Sequence, residues 1–406
     1  MRYAMHRHRH RVTFFILALV VAAAGYLGWR VFIVHGGEVA RIEEQVSQPI
    51  TGRPSPRKVT SRTLSFGDVF WGRYIDDWAK QTDERYEYPF SGLYTLNRQE
   101  YDAWIADLEC PLTDKVISSA EQDATLSFSC PKGYTEEAAK WFTAFTIANN
   151  HTGNQEDVGG FAQTQATLEQ QGIQYFGHYE PTQYNDICEI VNLPARYILS
   201  DGSYQEANMP IALCGVHSVF KLPDDLLLDK IREYSKVLPT WVYGHMGTEY
   251  TTQPSEIQKQ VYRSFIDAGA DLVIGDHPHR VQTAESYKGK LIVYSLGNFI
   301  FDQLGASEQG GREVWRGIGL GIEITANIDQ SVLLWTRLSP SCKAYHDSCV
   351  GTAAYQGHVK PKYSYVFSVV TTDNSNKGVA VKATEQWHKE VLERLDWDNV
   401  VAQLEY

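Results

Sequence analysis

Six apolar runs in this chain end on side chains that bind metals or anions. They are Leu64–Asp68, Ile105–Glu109, Phe145–His151, Trp241–His245, Leu272–His279 and Leu291–Asn298. Imidazole nitrogen combined with carboxylate and amide oxygen is a donor set for one or two divalent cations such as Mn, Zn or Fe. Taken alone, Asp68 after Gly67 reads as a turn residue, and His245 as a polar residue with a local partner. Asn149-Asn150-His151 is more telling, because an amide oxygen can ligate a metal while a neighbouring imidazole acts as a general acid. His277-Pro278-His279 places two imidazoles two residues apart, hence on one side of the chain if that segment is extended.

A short apolar stretch that stops at Asp, Glu, Asn or His is what a buried strand of an open α/β sheet looks like. In such sheets ligands collect at the carboxyl ends of the strands. Between the runs lie helical patterns. Ser255 and Gln258 form a capping box after Pro254, and the helix stops at Gly269. Asp157–Gln171 is an amphipathic run ended by Gly172, and a third spans about Asp224 to Val237, before Pro239. Beyond Asp302 the texture changes. Gly317 to Ser339 alternates like a hairpin, Tyr363–Thr371 reads as a strand, and Lys377–Tyr406 as a strand and a closing helix.

Length, at 406 residues, suggests two or three structural units, and 43% hydrophobic residues supply a sizeable core. A net charge of −12, with no zinc-finger, P-loop or GxGxxG pattern, argues against nucleic acid as a partner. Residues 1–11 are rich in Arg and His and precede an apolar stretch, 12–34, long enough for one membrane-spanning helix. The positive flank keeps the tail in the cytoplasm and sends the rest outside, giving a single-pass protein of the cell membrane. A signal peptide cleaved near Ala22-Ala23-Ala24 is the alternative. Residues 35–62 read as a linker, 63–340 as the main domain and 341–406 as a C-terminal extension packing on it. Six cysteines fit an oxidising compartment. Cys342 with Cys349 is the best candidate pair, Cys110 with Cys130 would close the loop carrying Glu109, and Cys188 with Cys214 remains; the connectivity itself stays open.

Several motifs carry a resemblance. They are Phe66-Gly67-Asp68 with Gly72-Arg73, Leu108-Glu109 with Pro111, and Ala148-Asn149-Asn150-His151 followed by Asp157-Val158-Gly159. Further along stand His245-Met246-Gly247-Thr248-Glu249-Tyr250, Gly269 to Gly275, His277-Pro278-His279 and Tyr294 to Phe299. In this order the chain, over about Ser61 to Leu338, resembles the CapA family of capsule and poly-γ-glutamate biosynthesis proteins. That family is similar to the calcineurin-like metallophosphoesterases. The resemblance implies a four-layer α/β/β/α metallophosphatase-like sandwich, preceded by one transmembrane helix. It makes Asp68, Glu109, Asn150, His245, His277 and His279 the metal ligands and His151 the proton donor to a leaving group. It departs from the phosphoesterases at Phe70, where they carry a histidine, and at Glu109, where they carry a bridging aspartate.

Arg73, Arg280 and Asn298 are the candidates to hold an anionic substrate; for the two arginines the alternative is solvation or an ion pair. Glu249 is expected to orient His245. The function so implied is a metal-dependent hydrolase-like protein outside the membrane, acting on a phosphoester or γ-amide in polymer synthesis. Its expected partners are the membrane, other capsule-synthesis proteins and an anionic polymer. The alternative is a non-catalytic assembly or export component with a structural or vestigial metal site.

Overall fold

Strand β1 (Pro56–Val69) organises the fold because it is paired along both edges, and differently at its two ends. In this computed structural model, which describes residues 56–303, 314–342 and 346–406, the amino half of β1 pairs antiparallel with β5 (Cys188–Leu199). Its carboxyl half pairs parallel with β2 (Ala103–Leu108), which continues through β3 (Ala144–Thr146) to β4 (Gln174–Phe176). From β5 a second arm runs through β6 (Tyr204–His217), β7 (Thr240–His245) and β8 (Leu272–Asp276) to β10 (Lys290–Val293) and β9 (Ala284–Tyr287). The other edge of β1 carries β11 (Asn298–Ile300) and β12 (Arg316–Asn327), followed by β13 (Ser364–Asn376) and β14 (Val379–Lys382). The expected pair of sheets is thus joined through β1 into one fourteen-stranded mixed sheet.

Side-chain alternation shows how the arms lie. Ala103 and Ile105 of β2 share a core with Trp241 and Tyr243 of β7 and with Leu272 and Ile274 of β8. The intervening Trp104, Ala106 and Leu108 face a second core with Phe145, Phe161 and Leu168. A strand buried on both faces is what a parallel arm covered by other layers requires. The fold is mixed α/β on a large mixed sheet, consistent with an α/β sandwich.

The expected helices form close to where their caps put them. Helix α1 (Gly160–Gln170) ends before Gly172, and α2 (Asp225–Ser235) starts at Asp224, whose side chain accepts from Leu227 N. Helix α3 (Glu256–Asp267) is capped by Ser255, which accepts from Gln258 N. Gln258 does not return the reciprocal bond of a capping box. Instead its buried amide reaches Met246 O, Gln282 Oε1 and Tyr294 O, pinning α3 to the turns after β7 and β10.

Four expectations need correction. Pro56–Arg62, placed in the linker, belongs to β1: Val59 and Ser61 point inward while Lys58 and Arg62 stay exposed, so basic residues mask a half-buried strand. The second half of the hairpin is a helix, α4 (Gln330–Cys342), started by Asp329 accepting from Val332 N. Its buried Val332, Trp335, Leu338 and Ser339 follow a helical period. Residues 341–406 do more than pack on the domain, since β13 adds a full antiparallel strand to β12. Trp387, Val391 and Leu395 of α5 (Glu385–Leu395) complete the main core. Finally, His277-Pro278-His279 is not extended: His277 and His279 have φ of 94° and 55°, so left-handed bends bring the rings to 5.9 Å. All three cysteine pairs, Cys110–Cys130, Cys188–Cys214 and Cys342–Cys349, are disulfides.

The tail 1–11, the apolar stretch 12–34 and the linker up to residue 55 lie outside the described residues. Among the described residues no helix is long and apolar enough to cross a membrane.

Candidate metal centre

Strand register builds the site as two rows. Asn298, Asp68 and Asp107 lie side by side across β11, β1 and β2. His217, His245 and Asp276 lie side by side across β6, β7 and β8. Apart from Asn298, which begins β11, the residues of both rows sit at carboxyl ends, and the chain beyond β2, β3 and β8 adds Glu109, Asn150 and His151, and His277 and His279. Close packing of the rows demands glycine at position 67, where a Cβ would stand 2.0 Å from Gly297 O and 2.9 Å from Asp276 Oδ1.

The six expected ligands come together. His245 Nε2 lies 2.6 Å from Asn150 Oδ1 and 3.6 Å from Glu109 Oε1. His279 Nδ1 lies 3.1 Å from Asp68 Oδ2. Donor atoms of Glu109, His245 and His277, and likewise of Asp68, Glu109 and His279, fall within 4.8 Å of one another. His151 Nε2 stands 3.9 Å from Glu109 Oε1. Its ring stacks on Phe128 at 3.9 Å between centroids, and Nδ1 meets Asn154 Oδ1 at 3.1 Å. The same oxygen accepts from Phe128 N, which fixes the orientation of the Asn154 amide.

Three members were not among the expected site residues. Asp107 accepts from His245 Nδ1 at 2.7 Å and from Asn149 Nδ2 at 2.7 Å. Asn149 Oδ1 in turn accepts from His151 N and Thr152 N, holding the turn that presents Asn150 and His151. Asp276 is the third. The sequence did carry signals for them: Asp107 and Glu109 are two apart at a strand end, and Asp276 directly precedes His277.

The electrostatics call for a cation. Asp68, Asp107 and Glu109 are 0% exposed and Asp276 1%. Oδ1 of Asp68, both oxygens of Glu109, Oδ1 of Asp276 and Nδ1 of His277 have no hydrogen-bond partner among the described residues, and Oδ2 of Asp68 has only His279 Nδ1, at 3.1 Å. Burial, reinforced by Asp68 and Asp107, pushes Glu109 and Asp276 well above the usual carboxylate range. Burial also raises Asp107 to about 8, against the Asn149 hydrogen bond. His245 and His277 are held well below the usual imidazole range by burial, then for His277 by the neighbouring imidazoles. Burial likewise lowers His151 to about 3. Burial pulls His279 down too, but Asp68 outweighs it and the net shift is upward. Unpaired buried carboxylates facing mostly neutral imidazoles are costly, and a divalent ion at their meeting point would remove that cost. The residues present therefore fit a bound divalent metal.

The expected anion-holding residues are otherwise engaged. Arg73 is buried, gives Nε and Nη2 to the Asp302 carboxylate and lies over the Phe70 and Phe128 rings at 5.3 and 5.0 Å. It is a buried ion pair, the alternative foreseen for it. Asn298 meets His279 Nδ1 at 2.9 Å through Oδ1 and gives Nδ2 to Gln303 and Val314, so it positions His279. Arg280 Nη1 donates to Tyr250 O. Glu249 does not orient His245, a role filled by Asp107; it is exposed and clusters with His277 and His279. Phe70 sits fully buried against Phe128 and Phe301.

A family profile described as bacterial capsule synthesis protein PGA_cap matches residues 63–303. The chain is 27% identical over 253 residues to the PGA biosynthesis protein CapA of Bacillus subtilis (strain 168), covering 58% of this chain and 62% of that one. It is 30% identical over 251 residues to the capsule biosynthesis protein CapA of Bacillus anthracis, covering 58% and 59%. The match thus spans about three-fifths of either relative. Among solved structures, TT1561 of Thermus thermophilus aligns over 65% of this chain and 94% of its own, with a TM-score of 0.33 and 10% identity, too distant to argue from. With 63–303 matched, more than half its length, the chain belongs to the PGA_cap family of bacterial capsule synthesis proteins.

Proposed function

We propose that the protein is a membrane-anchored, extracytoplasmic metal-dependent hydrolase-like component of capsule or poly-γ-glutamate synthesis. One observation carries this reading: the buried carboxylates of Asp68 and Glu109, the latter without a hydrogen-bond partner among the described residues, converge with the imidazoles of His245, His277 and His279 on one sheet rim. These residues and Asn150 would hold one or two divalent ions. A bound ion would supply Lewis acidity at the point where the donors meet.

The chain's own residues set the rest. Asp107 holds His245 by Nδ1, leaving Nε2 for the centre. Asn298 Oδ1, 2.9 Å from His279 Nδ1, steadies the ring of His279 beside Asp68. Asn154 takes the Nδ1 proton of His151, so Nε2 of the neutral ring faces the Glu109 side as an acceptor. Under this reading Nε2 takes the proton given up by the attacking water and passes it to the departing oxygen or nitrogen. The substrate under this reading is a phosphoester or γ-amide of an anionic envelope polymer, and the partners are other polymer-synthesis proteins.

A second reading, a non-catalytic assembly or export component with a structural metal, draws on the commitment of Arg73 to Asp302, which leaves the polyanion one guanidinium fewer. The deciding experiment combines elemental analysis of the purified protein with polymer output from cells carrying Asp68→Asn or His279→Ala. Bound metal in wild type, lost with polymer output in folded variants, supports the hydrolase reading. Normal output from variants that have lost their metal would support the second, and no metal in the wild type would remove the hydrolase reading and leave the second only with a vestigial site.

A further inference from the structure

Next to the metal centre, on the side of Asn150, lies a cavity of about 280 Å³ lined also by Tyr179, Glu180, His217, Phe220 and Lys221. His217 ends β6 in register with His245, but its ring centroid is 6.2 Å from that of His245 and it joins none of the metal-binding triads among the described residues. It is 4% exposed. Its Nδ1 stands 2.6 Å from Tyr179 O. A carbonyl only accepts, so Nδ1 carries the proton and Nε2 of the neutral ring is a bare acceptor. Nε2 has no partner among the described residues.

A buried acceptor left unsatisfied implies a donor that arrives from outside. Around it stand two aromatic side chains, Phe220 and Tyr179, the latter stacked by one face on His178 at 4.7 Å. Phe220 lies edge-on to His217 at 5.5 Å between centroids and is 79% exposed, so its ring is open to a ligand in the cavity. Tyr179 leans on Gly153, where a Cβ would come within 2.4 Å of its ring, so glycine there lets the tyrosine form the cavity wall. The charges do not suit an acidic ligand. Glu180 contributes a carboxylate, and Lys221 is paired with Asp224 at 3.3 Å. Acceptors, two aromatic faces and near-neutral charge in a small cavity suit a ring that carries several O–H donors and an apolar face.

We infer that this cavity is a subsite for one neutral sugar ring, which donates a hydroxyl to His217 Nε2 and packs between Tyr179 and Phe220, beside the metal centre. It rests on the proposed function by assigning that centre a substrate whose unit next to the reacting bond is a glycosyl unit rather than a carboxylate-bearing one.

The test uses the full chain in detergent and saturation-transfer NMR with methyl β-D-glucopyranoside, methyl β-D-galactopyranoside and N-acetylglucosamine, with γ-glutamylglutamate as the acidic control. At least one sugar should bind with millimolar affinity, weakened fivefold or more by Phe220→Ala and by His217→Phe. Because Phe220 is exposed, Phe220→Ala keeps the test valid if His217→Phe fails to fold. No binding by any sugar, unchanged affinity in Phe220→Ala, or displacement of the sugar by equimolar γ-glutamylglutamate would overturn the assignment. Manganese content of the same samples separates the two readings. Sugar bound by a protein without metal sustains the subsite and removes the metal centre, and metal without sugar does the reverse.

Discussion

His245 and Asp107, 138 positions apart in the chain, meet at 2.7 Å between Nδ1 and Oδ2 where the two arms of the sheet face each other. This contact fixes which nitrogen of His245 faces the cation site, and it ties β7 to β2. Asp107→Asn should leave the fold intact, because the Asn149 contact can be re-formed, while weakening metal affinity about 10- to 100-fold. Titration calorimetry with Mn on chelator-stripped protein measures this directly. An unchanged affinity would mean that the pair serves packing alone.

The metal-free protein should lose stability as pH rises from about 6.5 to 8. In this window Asp107, held at about 8, and Glu109 and Asp276, held well above the usual carboxylate range, keep protons that the unfolded chain has released. The native state then binds more protons than the unfolded one, so stability falls with rising pH. His151, His245 and His277, lowered instead, act in the opposite sense, but below about pH 6.5. The expected loss from Asp107 alone is roughly 1–2 kcal/mol across the window. Urea denaturation with EDTA should show that slope. With saturating Mn it should flatten or reverse, because the ion displaces those protons.

Replacing Arg73 by Met should destabilise the protein by about 3–5 kcal/mol, since it strands the Asp302 carboxylate in the interior. The double variant Arg73→Met/Asp302→Leu should recover much of that loss. Denaturation midpoints of the wild type, the two single variants and the double variant check this. A fully stable Arg73→Met protein with impaired polymer output would return Arg73 to the substrate.

Gln258→Leu removes three hydrogen bonds from one side chain and leaves Met246 O and Tyr294 O without it. The cost should be about 1–3 kcal/mol. Hydrogen exchange should speed up in the turn after His245 while α3 itself stays protected, because Ser255 still caps it.

Much of the site was legible because strand ends announce themselves: an apolar run that halts on Asp68, Glu109 or His245 needs no tertiary information to be noticed. Asp107 escaped because it lies one residue inside its strand, where a carboxylate looks out of place until its partner, 138 positions away, is known. The roles of Arg73 and Asn298 were illegible for the same reason. A side chain able to hold an anion is equally able to hold Asp302 or His279, and only the fold decides. In the C-terminal part, Asp329 was a readable helix cap, but the alternation of Gly317–Asn327 ran on into it and hid the change of period. The basic residues at the start of β1 suggested a solvated spacer, although their alternation with Val59 and Ser61 fits a strand with one wet face.

The position of β1 also sets the order in which this protein can be finished. Lys58, near the beginning of the described chain, acquires its neighbour Asn327 only after almost everything between them has been made. Until then the strand offers an uncompleted edge, so the earliest piece to emerge is among the last to be sealed. A chain built this way matures slowly and is open to stray pairing while it waits. Assistance while the chain is being made would therefore matter more to its yield than the small margin by which the finished molecule outweighs its unfolded state.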